Sequence, residues 1–343
     1  MPCCGASDSD GGVGALSQPR RHGSDGRRPW TFIRVIVLLL NALFIGAVFL
    51  LDPTLQSQIR QGNWYISSYG VLVLLTLVQY FYTAKSSPGY LVDMLRAGSG
   101  MHATFINTAT LSKKDRPIEN GILNSAMSRS KIDPQCPQSA TPSLLLQMMD
   151  LYPPGTSNRD LTCSSCGLIQ PPRTKHCHDC DKCVLQFDHH CVWIGTCIGK
   201  RNHCRFWWYI FEQAILAGWT VALYIQFLHL DMKECWLKGL TGLLLLVPLI
   251  IIHIVLVILV MMHTYLALTN QTTYEIARRK RISYLRGVPA KVYPFSKGIC
   301  RNLYDLCLSR QKGYVLEAVP PLEELEARAR PYTCRDVICC RCC

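Results

Sequence analysis

Four long apolar blocks interrupt an otherwise polar chain of 343 residues, at roughly Ile33–Leu51, Tyr65–Tyr82, Trp208–Leu228 and Leu243–His263. Each comes close to the about 20 residues that a helix needs to cross the hydrocarbon core of a bilayer. Their edges carry the expected punctuation. Trp30 opens the first block, Asp52-Pro53 stops it, Trp64 and Tyr65 open the second, and Ser87-Pro88-Gly89 makes a turn after it. One such block alone would also fit a buried core helix; four in one modest chain predict membrane spans. The first lies too far from Met1 and is too long for a cleavable signal peptide.

The pattern therefore predicts an all-α integral membrane protein, a four-transmembrane-helix bundle. Residues 1–32 form an N-terminal tail, 33–51 the first span, 52–64 a short loop and 65–82 the second span. Residues 208–228 and 243–263 are the third and fourth spans around a loop at 229–242, and 264–343 are a C-terminal tail. Two unlike stretches separate spans 2 and 3. Residues 83–160 are largely polar with weak periodicity, which predicts a flexible segment with one short helix near Leu144–Leu151. Residues 161–206 are rich in cysteine and run without a break into Phe206-Trp207-Trp208.

Charge then sets an orientation. Arg20, Arg21, Arg27 and Arg28 precede span 1, Lys85, Lys113, Lys114, Arg173, Lys175, Lys200 and Arg201 lie between spans 2 and 3, and Arg278, Arg279, Lys280, Arg281 and Arg286 follow span 4. The other two loops hold only Arg60, Lys233 and Lys238. By the positive-inside rule both tails and the cysteine-rich segment face the cytosol. The formal net charge of +13 then suits an anionic lipid leaflet rather than nucleic acid. Of 19 cysteines only Cys235 falls on the lumenal side, so most sit where metal binding or reactive thiols are favoured over disulfides. Asn41, Gln79, Glu212, Gln213, Gln226 and His253 interrupt the spans and are expected to join helices rather than to line an ion path.

The chemistry concentrates between Cys163 and Phe206. The order is Cys163-x2-Cys166, Gln170-Pro171-Pro172-Arg173, His176-Cys177-x2-Cys180-x2-Cys183, Asp188-His189-His190-Cys191-x-Trp193, then Cys197-Ile198-Gly199-x2-Asn202 and Phe206. As far as Cys197 this is seven cysteines and four histidines (176, 178, 189 and 190). Two tetrahedral zinc sites take about eight ligands. Six thiols and two imidazoles would fill them and leave one thiol and two imidazoles over. A spare thiol beside a spare imidazole and a carboxylate is the makings of a nucleophile.

This segment resembles the cysteine-rich domain of the DHHC protein S-acyltransferases, or palmitoyltransferases, and the resemblance extends over about two-thirds of the chain. Ser87-Pro88-Gly89 is similar to the family's Asp-Pro-Gly turn, Thr272-Thr273-Tyr274-Glu275 to its Thr-Thr-x-Glu motif, and Tyr293 to Asn302, with Gly298 between, to its C-terminal aromatic and asparagine motif. Gly195-Thr196-Cys197 and the Cys-Arg-Cys-Cys ending resemble a plant member. Ser87 stands where the family usually has Asp, and Thr196 where most members have Asn.

The resemblance implies a ligand set and a reaction. One structural zinc would take Cys163, Cys166, His176 and Cys183, the other Cys177, Cys180, His190 and Cys197, leaving Cys191 as the nucleophile. His189 would take the thiol proton, Asp188 would orient His189, His190 would pin the loop through its zinc, and Trp193 would wall the site. A fatty acyl-CoA, palmitoyl-CoA above all, would acylate Cys191, and a cytosolic cysteine of a membrane-associated protein would then take the acyl group. A cavity between the four spans would shelter the acyl chain, and Arg173, Lys175, Lys200, Arg201 and Arg205 would contact the CoA phosphates. No role is assigned to His178, His203 or Cys204 beyond surface or packing. A Golgi or vacuolar membrane is favoured, with plasma membrane as a further option.

Cys3, Cys4, Cys339, Cys340, Cys342 and Cys343 border basic tails and are expected to be candidates for S-acylation themselves; Pro2 excludes myristoylation, and the last four residues do not fit prenylation. The rival class is a membrane-anchored zinc-binding scaffold or ubiquitin ligase, which would carry no acyl group on Cys191. The close half-site spacing counts against the cross-braced loops of a RING ligase.

Overall fold

A computed structural model describes residues 30–99, 142–154, 156, 161–231, 236–289, 291–308 and 316–328. Four of its helices are long and apolar enough to cross a membrane: Trp30–Leu51 (span 1), Trp64–Lys85 (span 2), His203–Asp231 (span 3) and Trp236–Thr269 (span 4). Spans 3 and 4 run well past the apolar blocks that signal them, because backbone hydrogen bonding continues where the side chains turn polar. The expected loop at 52–64 holds a helix of its own, Pro53–Arg60. Its N-terminus is capped by the Asp52 side chain, which accepts from the Thr54 amide, and Pro53 starts it where no amide is needed. The expected helix near Leu144–Leu151 forms at Pro142–Met149, and a second one, Leu91–Ser99, follows span 2. The tail cysteines and Cys235 lie outside the described residues.

The bundle packs around Phe44, Val48, Ile66, Tyr69, Leu223, Tyr224 and Leu246. Lipid is as apolar as these side chains, so polar cross-links add the specificity. Tyr69 shares a hydrogen bond with Thr220 (2.9 Å) and Tyr224 donates to the Phe44 carbonyl (2.9 Å). Gln213 donates to Asn41 (2.8 Å) and Gln79 to the Arg205 carbonyl (3.0 Å). Those two pairs are helix joints, as the sequence leads one to expect. Leu39, Leu74, Leu244, Val255 and Ile258 stay exposed on the outer faces, where a bilayer would cover them.

The cysteine-rich segment adds two short antiparallel hairpins to the mostly helical chain. In the first, β1 (Lys175–Cys177) pairs with β2 (Lys182–Val184); in the second, β3 (His189–Cys191) pairs with β4 (Thr196–Ile198). Strands of 3 residues cannot build a core alone, so metal and neighbouring backbone must supply the stability. The Ser87-Pro88-Gly89 turn provides part of it. Gly89 sits at φ +95° and its carbonyl accepts from the Leu185 amide, while Arg201 donates to the Pro88 carbonyl. The Ser87 hydroxyl accepts from the Gly89 amide (3.2 Å), so serine stabilises the turn locally as an aspartate would. At Gly199 a Cβ would come within 2.7 Å of Val184 and 2.9 Å of the Pro88 carbonyl, which restricts the position to glycine.

Past span 4 the chain folds back onto this segment. Thr272 and Glu275 form a reciprocal capping box that starts the helix Thr273–Arg278. Asn302 donates to the Leu268 carbonyl (2.7 Å) and so ties the C-terminal motif to the end of span 4. Cys204 is disulfide-bonded to Cys307, which departs from the expectation of unbridged thiols here. The first turn of span 3 lies against Tyr304–Leu308, and the Cα–Cα distance of 5.4 Å is within bridging reach.

Candidate active site

Strand geometry sorts the central tetrapeptide. Successive side chains of a strand point to opposite faces, so β3 turns His190 one way and His189 and Cys191 the other. On the His190 side, donor atoms of Cys177, Cys180, His190 and Cys197 lie within 4.8 Å of one another, and those of Cys163, Cys166, His176 and Cys183 form a second such cluster. Ligands of a tetrahedral zinc with metal distances of about 2.0–2.3 Å stand about 3.3–3.8 Å apart. The Sγ to His190 Nδ1 distances are 3.6, 3.4 and 3.5 Å for Cys177, Cys180 and Cys197. His176 Nδ1 lies 3.3 Å from Cys166 and 3.9 Å from Cys183, and its Nε2 is 3.5 Å from Asp181, a carboxylate placed to orient a ligating imidazole. Thiolates with one imidazole each suit zinc, and no position is left for water. These residues fit two structural metals, and the clusters interleave along the two hairpins.

Cys191 stands outside both clusters. It is buried with Tyr80, Ile194, Ile198, Phe206 and Tyr209 at one end of the bundle. His189 lies beside Cys191 and is hydrogen-bonded through Nδ1 to Asp188 Oδ2 at 2.6 Å. Asp188 is 1% exposed and fully engaged, since Oδ1 accepts from the Thr273 amide (2.7 Å) and Oδ2 also from the Thr273 hydroxyl (2.9 Å). Burial would raise the Asp188 carboxyl, but the His189 hydrogen bond and the neighbouring imidazoles hold it well below the usual carboxylate range. Burial also opposes charge on His189, and the hydrogen bond to Asp188 and the neighbouring Cys191 overcome it, lifting this imidazole to about 9. The arrangement can stabilise a thiolate–imidazolium pair held in place by a carboxylate.

The loop between β3 and β4 is clamped to span 1. Arg34 donates to the carbonyls of Ile194 (2.8 Å) and Gly195 (3.0 Å). Gly195 lies at φ +71°, and a Cβ there would come within 2.7 Å of the guanidinium. Tyr80 donates to the Trp193 carbonyl (3.1 Å). The Trp193 indole itself is 58% exposed, so the expected wall is built by Tyr80 and Tyr209 instead. From these tyrosines a cavity of about 370 Å³ runs into the bundle past Leu38, Asn41, Val73, Gln213 and Leu216. It is lined by residues of spans 1, 2 and 3 rather than of all four.

One expectation for CoA binding changes. All five N–H donors of Arg173 are engaged inside the protein: with Glu275 (2.8 and 3.0 Å), the Asn270 side chain and carbonyl (2.9 and 2.8 Å) and Glu317 (2.9 Å). Arg173 is thus corrected from a phosphate contact to a buried clamp between the cysteine-rich segment and the residues after span 4. Lys175 remains at the surface edge, its Nζ 5.8 Å from the Tyr274 ring. Arg205 covers Tyr82 at 4.3 Å. Glu317, which sequence reading did not single out, is held down to about 2, against its burial, by Arg173, Lys200 and Lys297. Arg34 and Glu317 lie far from the motif in sequence and carry no signal of their own. Thr273 carries one, since a paired threonine before Tyr274-Glu275 marks a helix start aimed at something.

Residues 156–280 match the family model for DHHC palmitoyltransferases. The chain is 46% identical over 319 residues to Protein S-acyltransferase 10 of Arabidopsis thaliana, covering 92% of both chains. It is 37% identical over 174 residues to Palmitoyltransferase ZDHHC9 of Bos taurus, covering 48% of this chain and 47% of that one. A matching segment of 146 residues is 33% identical to Putative ZDHHC-type palmitoyltransferase 7 of Dictyostelium discoideum, 41% of this chain and 33% of that one. With a cysteine–histidine–aspartate set beside two cysteine-rich metal clusters at the end of a four-span bundle, and a relative that matches over nearly its whole length, the chain belongs to the DHHC family of protein S-acyltransferases.

Proposed function

We propose that Cys191 is the nucleophile of a two-step acyl transfer from a fatty acyl-CoA to a cysteine of a membrane-associated protein. The observation that carries this is the position of Cys191: apart from both metal clusters, on one strand face with His189, and against the tyrosines that close the cavity. The Cys191 thiolate attacks the thioester carbonyl. The carbon–sulfur bond to CoA breaks, and the CoA sulfur leaves with a proton from His189. In the second step His189 removes the proton of the acceptor thiol, which displaces the acyl group and restores the Cys191 thiol. One thioester replaces another at each step, so no oxidant or ATP is consumed. Asp188 keeps the imidazole oriented and balances its charge.

The apolar cavity between spans 1, 2 and 3 is the place for the acyl chain. Its size falls in the range of about 300–1,000 Å³ typical of small-ligand sites, and burying each CH₂ contributes about 0.8 kcal/mol. Lys175 and other basic residues at this end are the candidates for the CoA phosphates. The two zinc ions, held by Cys163, Cys166, His176 and Cys183 and by Cys177, Cys180, His190 and Cys197, brace the hairpins that carry the site. In this reading residues 161–206 and both tails face the cytosol, and the host is an endomembrane of Golgi or vacuolar type.

The test is to give the purified protein a labelled acyl-CoA. A hydroxylamine-labile label should appear on Cys191 and pass to an acceptor cysteine. Cys191→Ser should keep both zincs and take up no label. Metal loss in Cys191→Ser, or a wild type that never carries label, would reject the assignment in favour of a zinc-binding scaffold.

A further inference from the structure

Beside the Asp188–His189–Cys191 set lie two histidines for which the reaction has no use. His203 opens span 3 and is 4% exposed; His263 lies near the end of span 4 and is 1% exposed. Their rings meet edge to face, with centroids 5.7 Å apart, and His263 also packs against Phe206 (5.0 Å) and His189 (5.8 Å). One donor atom from each of Asp188, His203 and His263 falls within 4.8 Å of the others. His203 Nε2 and His263 Nδ1 are both buried with no hydrogen-bond partner. Buried polar groups are nearly always satisfied, so two orphaned imidazole nitrogens beside a buried carboxylate call for an occupant.

We propose that Asp188, His203 and His263 form a third cation site, distinct from the two cysteine-rich ones, that takes a divalent ion of the zinc class and restrains acyl transfer when filled. The donor set decides the metal class. Two imidazoles and a carboxylate, without sulfur, suit zinc with water in an open fourth position, unlike the closed thiolate clusters. The site is therefore weaker than the structural ones and exchanges with the surroundings. The His189 side chain beside it is 30% exposed, which gives the ion a way in. Occupancy acts through Asp188. A cation bound to this carboxylate competes with the His189 Nδ1–H bond of 2.6 Å. The imidazole then loses the partner that orients it toward Cys191, and acylation slows.

The restraint rests on the acyl-transfer reading above, whereas the binding does not, so two readouts are needed. Full-length protein with both structural zincs is equilibrated with buffered free Zn²⁺, separated from free metal, and counted. The expected result is one zinc per chain beyond the two structural ones, absent in both His263→Phe and His203→Gln. In parallel, the rate of acyl-Cys191 formation should fall about tenfold as that last zinc loads, the scale of losing an outer hydrogen-bond partner; in the two variants zinc should leave their own rates unchanged. Should either variant lose its structural zincs and fail to fold, ¹¹³Cd spectra of the wild type decide, because a nitrogen- and oxygen-ligated resonance is resolved from the thiolate-rich pair. A wild type that stops at two metals, or an extra metal that survives both substitutions, overturns the site. An extra metal with no effect on acylation overturns the restraint. A wild type that, before the extra zinc is loaded, forms no acyl-Cys191 would instead defeat the acyl-transfer reading and leave the third site to be decided by the metal count.

Discussion

Arg173 meets Glu275 through two parallel hydrogen bonds, Nε to Oε1 at 2.8 Å and Nη2 to Oε2 at 3.0 Å, with both side chains at most 5% exposed. Glu275 also closes the capping box of the helix that presents Thr273 to Asp188. One ion pair thus couples the cysteine-rich segment to the helix that holds the Asp188 carboxylate. Removing one member leaves an uncompensated buried charge, which costs about 3–5 kcal/mol. Glu275→Ala should lower the melting temperature clearly while surface changes such as Lys182→Ala should not. Arg173→Lys should not rescue, because an ammonium cannot reproduce the planar fork. Thermal unfolding in detergent followed by zinc release measures both.

Thr273 gives Asp188 two hydrogen bonds, of which only the hydroxyl one (2.9 Å) depends on the side chain. Thr273→Val keeps the shape and the amide bond. Acylation of Cys191 should slow by about tenfold, the usual effect of losing an outer partner, with little change in the acyl-CoA concentration needed for half-maximal rate. Thr273→Ser should restore most of the rate. A drop in both parameters together would mean that the helix itself had moved.

The His189–Asp188 pair also fixes a pH window for stability. The ordinary His189 value of 6.5 is raised to about 9 in the folded protein. A raised value stabilises the fold fully below the unfolded value, and that contribution is lost as pH climbs through the folded one. The wild type should therefore lose more stability between pH 6.5 and 9 than Asp188→Asn, in which the imidazole lacks its carboxylate. Melting curves of both proteins across that range decide; parallel slopes would dissociate the shift from Asp188.

Metal removal should act on the fold before it acts on the chemistry. Cys166→Ala and Cys180→Ala each break one cluster. Because the hairpins are only 3 residues per strand, each variant should release its zinc, become protease-sensitive near residues 161–206 and lose activity together. Elemental analysis beside limited proteolysis checks this; full zinc retention in either variant would remove that cysteine from the ligand set.

Gly46 lines the cavity, and a Cβ built on it would meet nothing within 4 Å. Gly46→Leu should fold and fill part of the apolar space. With about 0.8 kcal/mol per buried CH₂ at stake, competition between acyl-CoAs of different length should shift toward shorter chains. An unchanged profile would place the acyl chain elsewhere.

Much of this protein was legible from one dimension. Span number follows from apolar run length; cysteine spacing within about forty residues signals metal binding, and the division into two ligand sets came from the family resemblance rather than from spacing. The strand alternation that turns His189 and Cys191 together and His190 away was not legible, because a strand of 3 residues is too short to show a period. Helix ends were less legible, since spans 3 and 4 continue beyond their apolar blocks on backbone hydrogen bonds that composition does not record.

Only the tertiary structure could decide which charges are free and which are spent. Arg173 reads in the sequence as a cation available to phosphate. In three dimensions Glu275, Asn270 and Glu317, between 97 and 144 residues away, take every donor it has. Trp193 reads as a wall but points outward, and Arg34, 161 residues from Gly195, secures the loop. The gathering of His203 and His263 around Asp188 is invisible along the chain for the same reason. Residue type and spacing report what short stretches can bind, whereas charge pairing and burial are set by which distant segments the packed spans bring together.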